Sequence, residues 1–245
     1  MNYSDSSSRS ILPARLYAVF EIIMVSGVVS SILTSLVFGA ILFGRNRMKL
    51  SEMDISLLAA YLLFESALTF IFLFILMKAR GETFFALGLR RINWKRHVLL
   101  GIFIAPCLLI VGFVTGVIFK IFLPEYALET NPLMDMIRSP RQLVMFMLAV
   151  VVAGGIKEEL QRAFILRRFI QHLGGAATGL VTWSLVFGAG HYAQGLEGVC
   201  AASILGFIFG ILYLIRGNLI LPITAHAIYN TLALIIYWFT IGINK

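Results

Sequence analysis

The sequence predicts an all-α fold, a polytopic transmembrane helix bundle of about seven to eight helices. Three observations predict it. The 245 residues are 60% hydrophobic and only 13% charged, with a mean hydropathy of +0.92, well beyond the apolar share of soluble domains. Apolar runs near the length that crosses hydrocarbon, about 20 residues, follow one another along the chain. Most Lys and Arg residues fall between those runs, where membrane topology places them.

Taken in order, the polar start MNYSDSSSRS precedes an apolar run too long for a signal-peptide core, and no small-residue cleavage site follows it. Residues 1–16 are therefore expected to be a polar cytoplasmic N-terminus, and residues 17–245 a single transmembrane domain. Seven spans are expected: Tyr17 to Gly44, Ile55 to Met77, Val98 to Phe122, Leu143 to Leu166, Ala176 to Tyr192, Val199 to Ile215 and Leu219 to Ile241. The fourth is continuous only if protein shelters Lys157 to Arg162. The segment Pro124 to Pro140, carrying Glu125, Glu129 and Asp135, reads as a polar loop with room for a short interfacial helix. No internal repeat is evident.

The net charge of +8 is not the footprint of a nucleic-acid protein, because the cations form neither a stripe nor an RNA-binding motif. With the N-terminus inside, cytoplasmic segments hold eleven cations: Arg9, Arg15, Lys78, Arg80, Arg90, Arg91, Lys95, Arg96, Arg167, Arg168 and Arg216. The opposite side holds seven: Arg45, Arg47, Lys49, Lys120, Arg138, Arg141 and Lys245. That asymmetry favours a cytoplasmic N-terminus, and an odd number of spans then leaves the C-terminus outside. Trp94 and Trp238 fall near the expected interfaces. Cys107 and Cys200 lie within apolar runs, so they imply no disulfide framework.

A charge at membrane depth costs about 2.5 to 3.5 kcal/mol on insertion scales, which makes each one a functional hypothesis. Three expected helices carry polar features at one interval. Glu158 with Arg162, Phe187 with His191, and His226 with Asn230 are each i,i+4, so each pair projects from one helix face. Three such faces would line one wet cavity, and Gly154 and Gly155 would permit the close approach. Plainer readings stand beside this one. Glu158 and Arg162 would also serve as a structural ion pair, His226 as a hydrogen-bonded core histidine, and Phe187 to His191 as close packing around Gly188 and Gly190. Glu21, near a helix end, is expected to reach the interface and is assigned no role. Glu65, midway along the second span, is expected to have no i,i+4 polar partner and to hydrogen-bond structurally, with a cavity wall or proton path as the alternative.

KEELQRAF, FGAGHYAQG and HAIYN, the last following ILGFIFGILYLIRGNLILPIT, resemble the CPBP intramembrane proteases, which include the Ras-converting CAAX endopeptidase. The resemblance covers about residues 145–240. The family's first motif reads EExxxR, whereas Glu158, Glu159 and Arg162 give EExxR, one residue shorter. Two registers are open. Aligned on Arg162, Lys157 replaces the first family glutamate and Glu158 the second; aligned on the glutamates, the arginine has slipped, or a local adjustment of the helix restores both contacts.

The resemblance implies an intramembrane endopeptidase of a bacterial cytoplasmic membrane that hydrolyses a peptide bond with glutamate-activated water. Glu158 or Glu159 would activate the water, with Arg162 holding the carboxylate ionised. It further implies that His191 positions water and substrate, that His226 and Asn230 stabilise the oxyanion, and that Phe187 supports the site. No cofactor is expected. Zinc held by Glu158, His191 and His226 is the alternative, although no HExxH motif is present. The expected partners are membrane lipids and a peptide or protein substrate, without nucleic acid. Two other functions remain open: a noncatalytic immunity or adaptor protein of the same family, and a small transporter using Glu65, Glu158 and Arg162. At 1.5 Å per residue, Glu158 and His226 lie about 12 Å from the cytoplasmic ends of their helices and His191 about 23 Å. Those depths agree only if the fifth helix starts late after Gly174 and Gly175, tilts, or borders a tall cavity.

Overall fold

Gly27 breaks the first apolar run in two. Its φ of +94° is a backbone conformation that suits glycine, and it separates α1 (Ser6–Val25) from α2 (Val28–Gly44). The Val25 carbonyl, freed by the break, accepts a hydrogen bond from the side-chain amide of Gln161, so this acceptor is not stranded in hydrocarbon. In this computed structural model the described residues are 6–44, 54–90 and 92–241. Met1 to Asp5, Arg45, Arg47, Lys49, Arg91 and Lys245 lie outside them.

After the break come α3 (Ile55–Ala79), α4 (Trp94–Phe122) and α5 (Pro140–Val150). Ser139 accepts from the Gln142 amide to cap α5, and Pro140 sits at the first helical position, where a missing N–H costs nothing. Residues Val151–Glu158 then form a π-helix that runs directly into α6 (Glu159–His172). The bundle closes with α7 (Gly175–Ala189), α8 (Gly195–Arg216) and α9 (Ile220–Thr240). The described residues contain helices and no strands. Five stretches are long and apolar enough to cross a membrane: Leu12–Ile41, Ile55–Ala79, Trp94–Phe122, Tyr192–Arg216 and Ile220–Thr240. The continuous α5, π and α6 rod and the shorter apolar α7 complete the bundle. The chain is an integral membrane protein.

Outward-facing Phe103, Phe113 and Phe122 are each more than two-thirds exposed, as a lipid face demands. Lipid offers no hydrophobic gain for helix association, so close packing must supply it. Glycines do so here. A Cβ on Gly101 would meet the α9 backbone, one on Gly188 would overlap Ser203, and one on Gly206 would lie 2.8 Å from the Phe187 ring. Buried Val25, Leu73, Leu160, Phe164, Trp183 and Phe187 form the central cluster.

The structure moves several sequence boundaries. Helix α1 begins at Ser6 rather than Tyr17, so part of the polar segment extends the helix. Helix α7 ends at Ala189, leaving His191 in a turn in which its N–H bonds the Gly188 carbonyl at 2.8 Å. The segment after α4 holds two short 3₁₀ turns, Pro124–Tyr126 and Met134–Met136. It is tied down by Glu197 accepting from the Leu128 amide at 3.1 Å and by Tyr237 donating to Asp135.

Glu21 does not reach the interface. It is fully buried, held by Arg80 through two 2.7 Å contacts and approached by Arg168 Nε at 2.9 Å. Arg168, itself 0% exposed, forks onto Glu82 at 2.7 and 3.1 Å, and Arg167 joins Glu82 at 3.0 Å. One charge network thus ties α1, the α3–α4 loop and α6. Arg–carboxylate forks of this kind satisfy donors and acceptors together. At Glu82, desolvation pushes the carboxyl up, but hydrogen bonds and charge from Arg168 and Arg167 outweigh it and hold it at about 2 against an ordinary 4.5.

A folded-state pKa below the unfolded one gives stability that is complete above the unfolded value and is lost as pH falls toward the folded value. The thermal midpoint in detergent is therefore expected to drop between about pH 4.5 and pH 2. Glu82→Gln should flatten that part of the profile. Equal acid sensitivity in parent and variant would place the acid-labile contact elsewhere.

Candidate active site

The π-helix decides which way the three charged residues point. A π turn is wider than an α turn and recurs at functional sites; here it ends at Glu158, and α geometry resumes at Glu159. Lys157 is turned toward α3, where its ammonium meets Glu65 at 2.7 Å. Glu158 and Glu159 are turned toward α9 and His226. The lysine thus lies against α3 and the two glutamates against α9.

Glu159 is the locked member of the pair. It is 0% exposed, its Oε1 accepts from Arg162, and the same oxygen lies 2.7 Å from Nδ1 of His226. An Nδ1–H donated to Glu159 orients the His226 ring and leaves Nε2 on its other side. Nε2 then faces Oε2 of Glu158 at 3.8 Å. That gap is too long for a direct hydrogen bond and suits a shared water. Oε2 of Glu158 is buried and has no hydrogen-bond partner, although the side chain as a whole keeps 18% of its surface open.

Two expectations change as a result. Arg162 does not pair with Glu158 at i,i+4; its partner is Glu159 at i,i+3. Nor does Glu65 lack a polar i,i+4 neighbour, since Thr69 donates to it at 3.0 Å, alongside Ser30 at 2.6 Å and Lys157.

Aromatic rings hold the polar groups in place. The Phe209 ring stacks on His226 with centroids 4.4 Å apart and planes inclined by 16°. The Arg162 guanidinium sits 4.7 Å over the Phe187 ring and 5.6 Å from that of Phe209, a cation–π arrangement that orients an arginine 1% exposed. Phe187 also lies 4.7 Å from His191 and 6.5 Å from His226, centroid to centroid. It therefore spans the difference in depth between the two histidines. His191 donates Nδ1–H to the Phe187 carbonyl at 2.9 Å.

Asn230 is one α9 turn beyond His226. A Cβ on Gly154 would overlap the Asn230 amide nitrogen and come within 3.6 Å of His226 Nε2, whereas one on Gly155 would press on Ala227, at 2.7 Å from its Cβ and 3.1 Å from its Cα. The two neighbours should therefore respond differently to alanine. Gly154→Ala is expected to displace a movable side chain, lowering kcat with little change in thermal midpoint. Gly155→Ala is expected to push on the α9 backbone and to lower the midpoint. Matched unfolding curves and kinetics on both variants check the contrast.

Sequence reasoning missed Phe209, Gln161 and the Glu65–Lys157 pair. For Phe209 a signal existed: Gly206 and Gly210 form a small-xxx-small step, and a Cβ on Gly210 would lie 3.7 Å from Arg162 Cδ. For the others the partners are 92 and 136 residues apart, and no local pattern joins them. The zinc set of Glu158, His191 and His226 is not drawn together, and among the described residues no three His, Cys, Asp or Glu side chains group as metal ligands.

Residues 140–232 match the model of the family described as Rce1-like type II CAAX prenyl endopeptidase. Over this stretch the chain is similar to that family, in keeping with the CPBP resemblance of its motifs. Searches of curated proteins and of solved structures find no match. The matched stretch runs from Pro140, the first residue of α5, to just past Asn230 and contains Glu158, Glu159, Arg162, Phe187, His191, His226 and Asn230. Glu65 and Ser30, which hold Lys157 from outside, lie beyond it.

Proposed function

We propose that the chain is an intramembrane endopeptidase in which Glu158 activates the hydrolytic water. The observation that carries this reading is the contrast between the two glutamates: Glu159 is bound by Arg162 and His226, while Oε2 of Glu158 has no partner and faces His226 Nε2 at 3.8 Å. Oε2 of Glu159 also lacks a partner, but that side chain is 0% exposed, whereas Glu158 keeps 18% of its surface open and turns its free oxygen toward His226, as a general base reaching for its proton must. A water held between Glu158 and His226 would lose its proton to Glu158 as it attacks the scissile carbonyl. Asn230 would donate to the developing oxyanion. His191, at the end of α7, would position the substrate backbone. Glu159 acts through His226 by orienting its ring, and Arg162 holds Glu159 in place.

The family description supports a substrate class: a peptide with a prenylated C-terminal CAAX sequence. A quenched, farnesylated peptide ending in Cys-aliphatic-aliphatic-X, offered to the reconstituted protein beside its unprenylated form, tests this. Cleavage of the farnesylated peptide, unaffected by a membrane-permeant chelator, is expected. A protein that cleaves neither peptide and no other quenched peptide would fit the noncatalytic member of the family instead.

A further inference from the structure

The ion pair between Lys157 and Glu65 places an ammonium one residue from the proposed base. Such a cation could capture a catalytic carboxylate, yet it is directed away. Lys157 is 8% exposed, and its Nζ bonds Glu65 Oε2 at 2.7 Å. The other oxygen of Glu65 lies 2.6 Å from the Ser30 hydroxyl and 3.0 Å from that of Thr69, and the two hydroxyls are 2.9 Å apart. Glu65 is thus fixed before Lys157 reaches it. Gly27 serves the same place: a Cβ there would lie 3.6 Å from Glu65 Oε1 and 3.5 Å from Gln161 Nε2, so the break in the first span makes room for both.

We propose that Glu65, on a helix outside the family stretch, is a positioning residue for the active site: it holds the Lys157 ammonium on the α3 side of the π-helix and so leaves Glu158 and Glu159 to His226. This rests on the function proposed above. The argument is one of charge in a low dielectric. A buried ammonium that loses its partner must find another, because an uncompensated charge is strongly unfavourable. On the far face of the same π turn the available carboxylates are Glu158, whose Oε2 has no partner, and Glu159, answered by His226 and Arg162. The wide turn gives Lys157 the latitude to swing toward them. Capture of either would undo the arrangement in which one glutamate is locked and the other open.

The inference predicts an asymmetry that a purely structural ion pair would not produce. Glu65→Gln and Lys157→Met break the same bond, but only the first leaves a cation behind. On the farnesylated peptide, Glu65→Gln is expected to lower kcat by about tenfold or more, as displacement of a general base does, with KM within about threefold of the parent. Lys157→Met should keep kcat within about threefold, as should the double variant. A kcat loss in Lys157→Met as large as that in Glu65→Gln would overturn the inference, as would parental kcat in folded Glu65→Gln.

A second measurement needs no catalysis. A membrane-permeant carbodiimide joins an amine to a carboxylate in contact with it, and peptide mass spectrometry locates the amide. The parent should link Lys157 to Glu65, and Glu65→Gln should link Lys157 to Glu158 or Glu159. Absence of that second link would overturn the inference even in a protein that cleaves nothing. Failure of the protease reading would show separately, as a parent without activity whose link still moves.

Discussion

Glu158→Gln is expected to lower kcat by about 10²- to 10⁴-fold, the usual contribution of a general base, with expression, membrane insertion and thermal midpoint unchanged. The small structural effect follows from the site. Oε2 of Glu158 makes no hydrogen bond and lies 3.8 Å from His226 Nε2, so an isosteric amide removes basicity without breaking an existing hydrogen bond at that oxygen. Purified variant and parent, compared on the same quenched peptide and by membrane proteomics for processed termini, decide the matter. A variant that cleaves at the parental rate would remove Glu158 from the mechanism. Glu159→Gln should behave differently. It leaves Arg162 buried with its charge unanswered, so loss of activity there should come with loss of stability.

Arg162→Leu carries the largest expected cost to the fold. The guanidinium is 1% exposed, bonded to Glu159 and held over Phe187 and Phe209. Removing one partner of a buried ion pair costs about 3–5 kcal/mol, because the other charge stays buried, whereas replacing both by apolar groups is often neutral. Arg162→Leu should therefore lower unfolding stability by about that amount, and Glu159→Leu in the same chain should restore most of it without restoring cleavage. Chemical unfolding in micelles measures both. Parental stability in the single variant would mean that the pair is not what holds α6 against α7 and α8.

How far the site was legible in the sequence differs from residue to residue. His226 and Asn230 sit on an unbroken α-helix, so their i,i+4 spacing translates directly into a shared face. Glu158 with Arg162 has the same spacing, yet the inference of a pair failed. The rod changes from π to α geometry at Glu158, and the residue that then faces Arg162 is Glu159. His191 was read as helical, but helix α7 ends two residues earlier, at Ala189. Glu21 was read as reaching water, because a sequence shows nearness to a helix end and not the arginines, 59 and 147 positions away, that close over it.

By itself the sequence determined the membrane class, the all-helical fold, and the stretch that resembles the family with its polar residues. Each of these is a local property: hydropathy over one helix length, or side chains a turn apart. The tertiary structure decided which glutamate is locked and which is open, where Lys157 goes, and what surrounds Glu21. Those outcomes depend on charges in a medium of low dielectric finding partners on other helices, and such pairing is settled only when the helices meet.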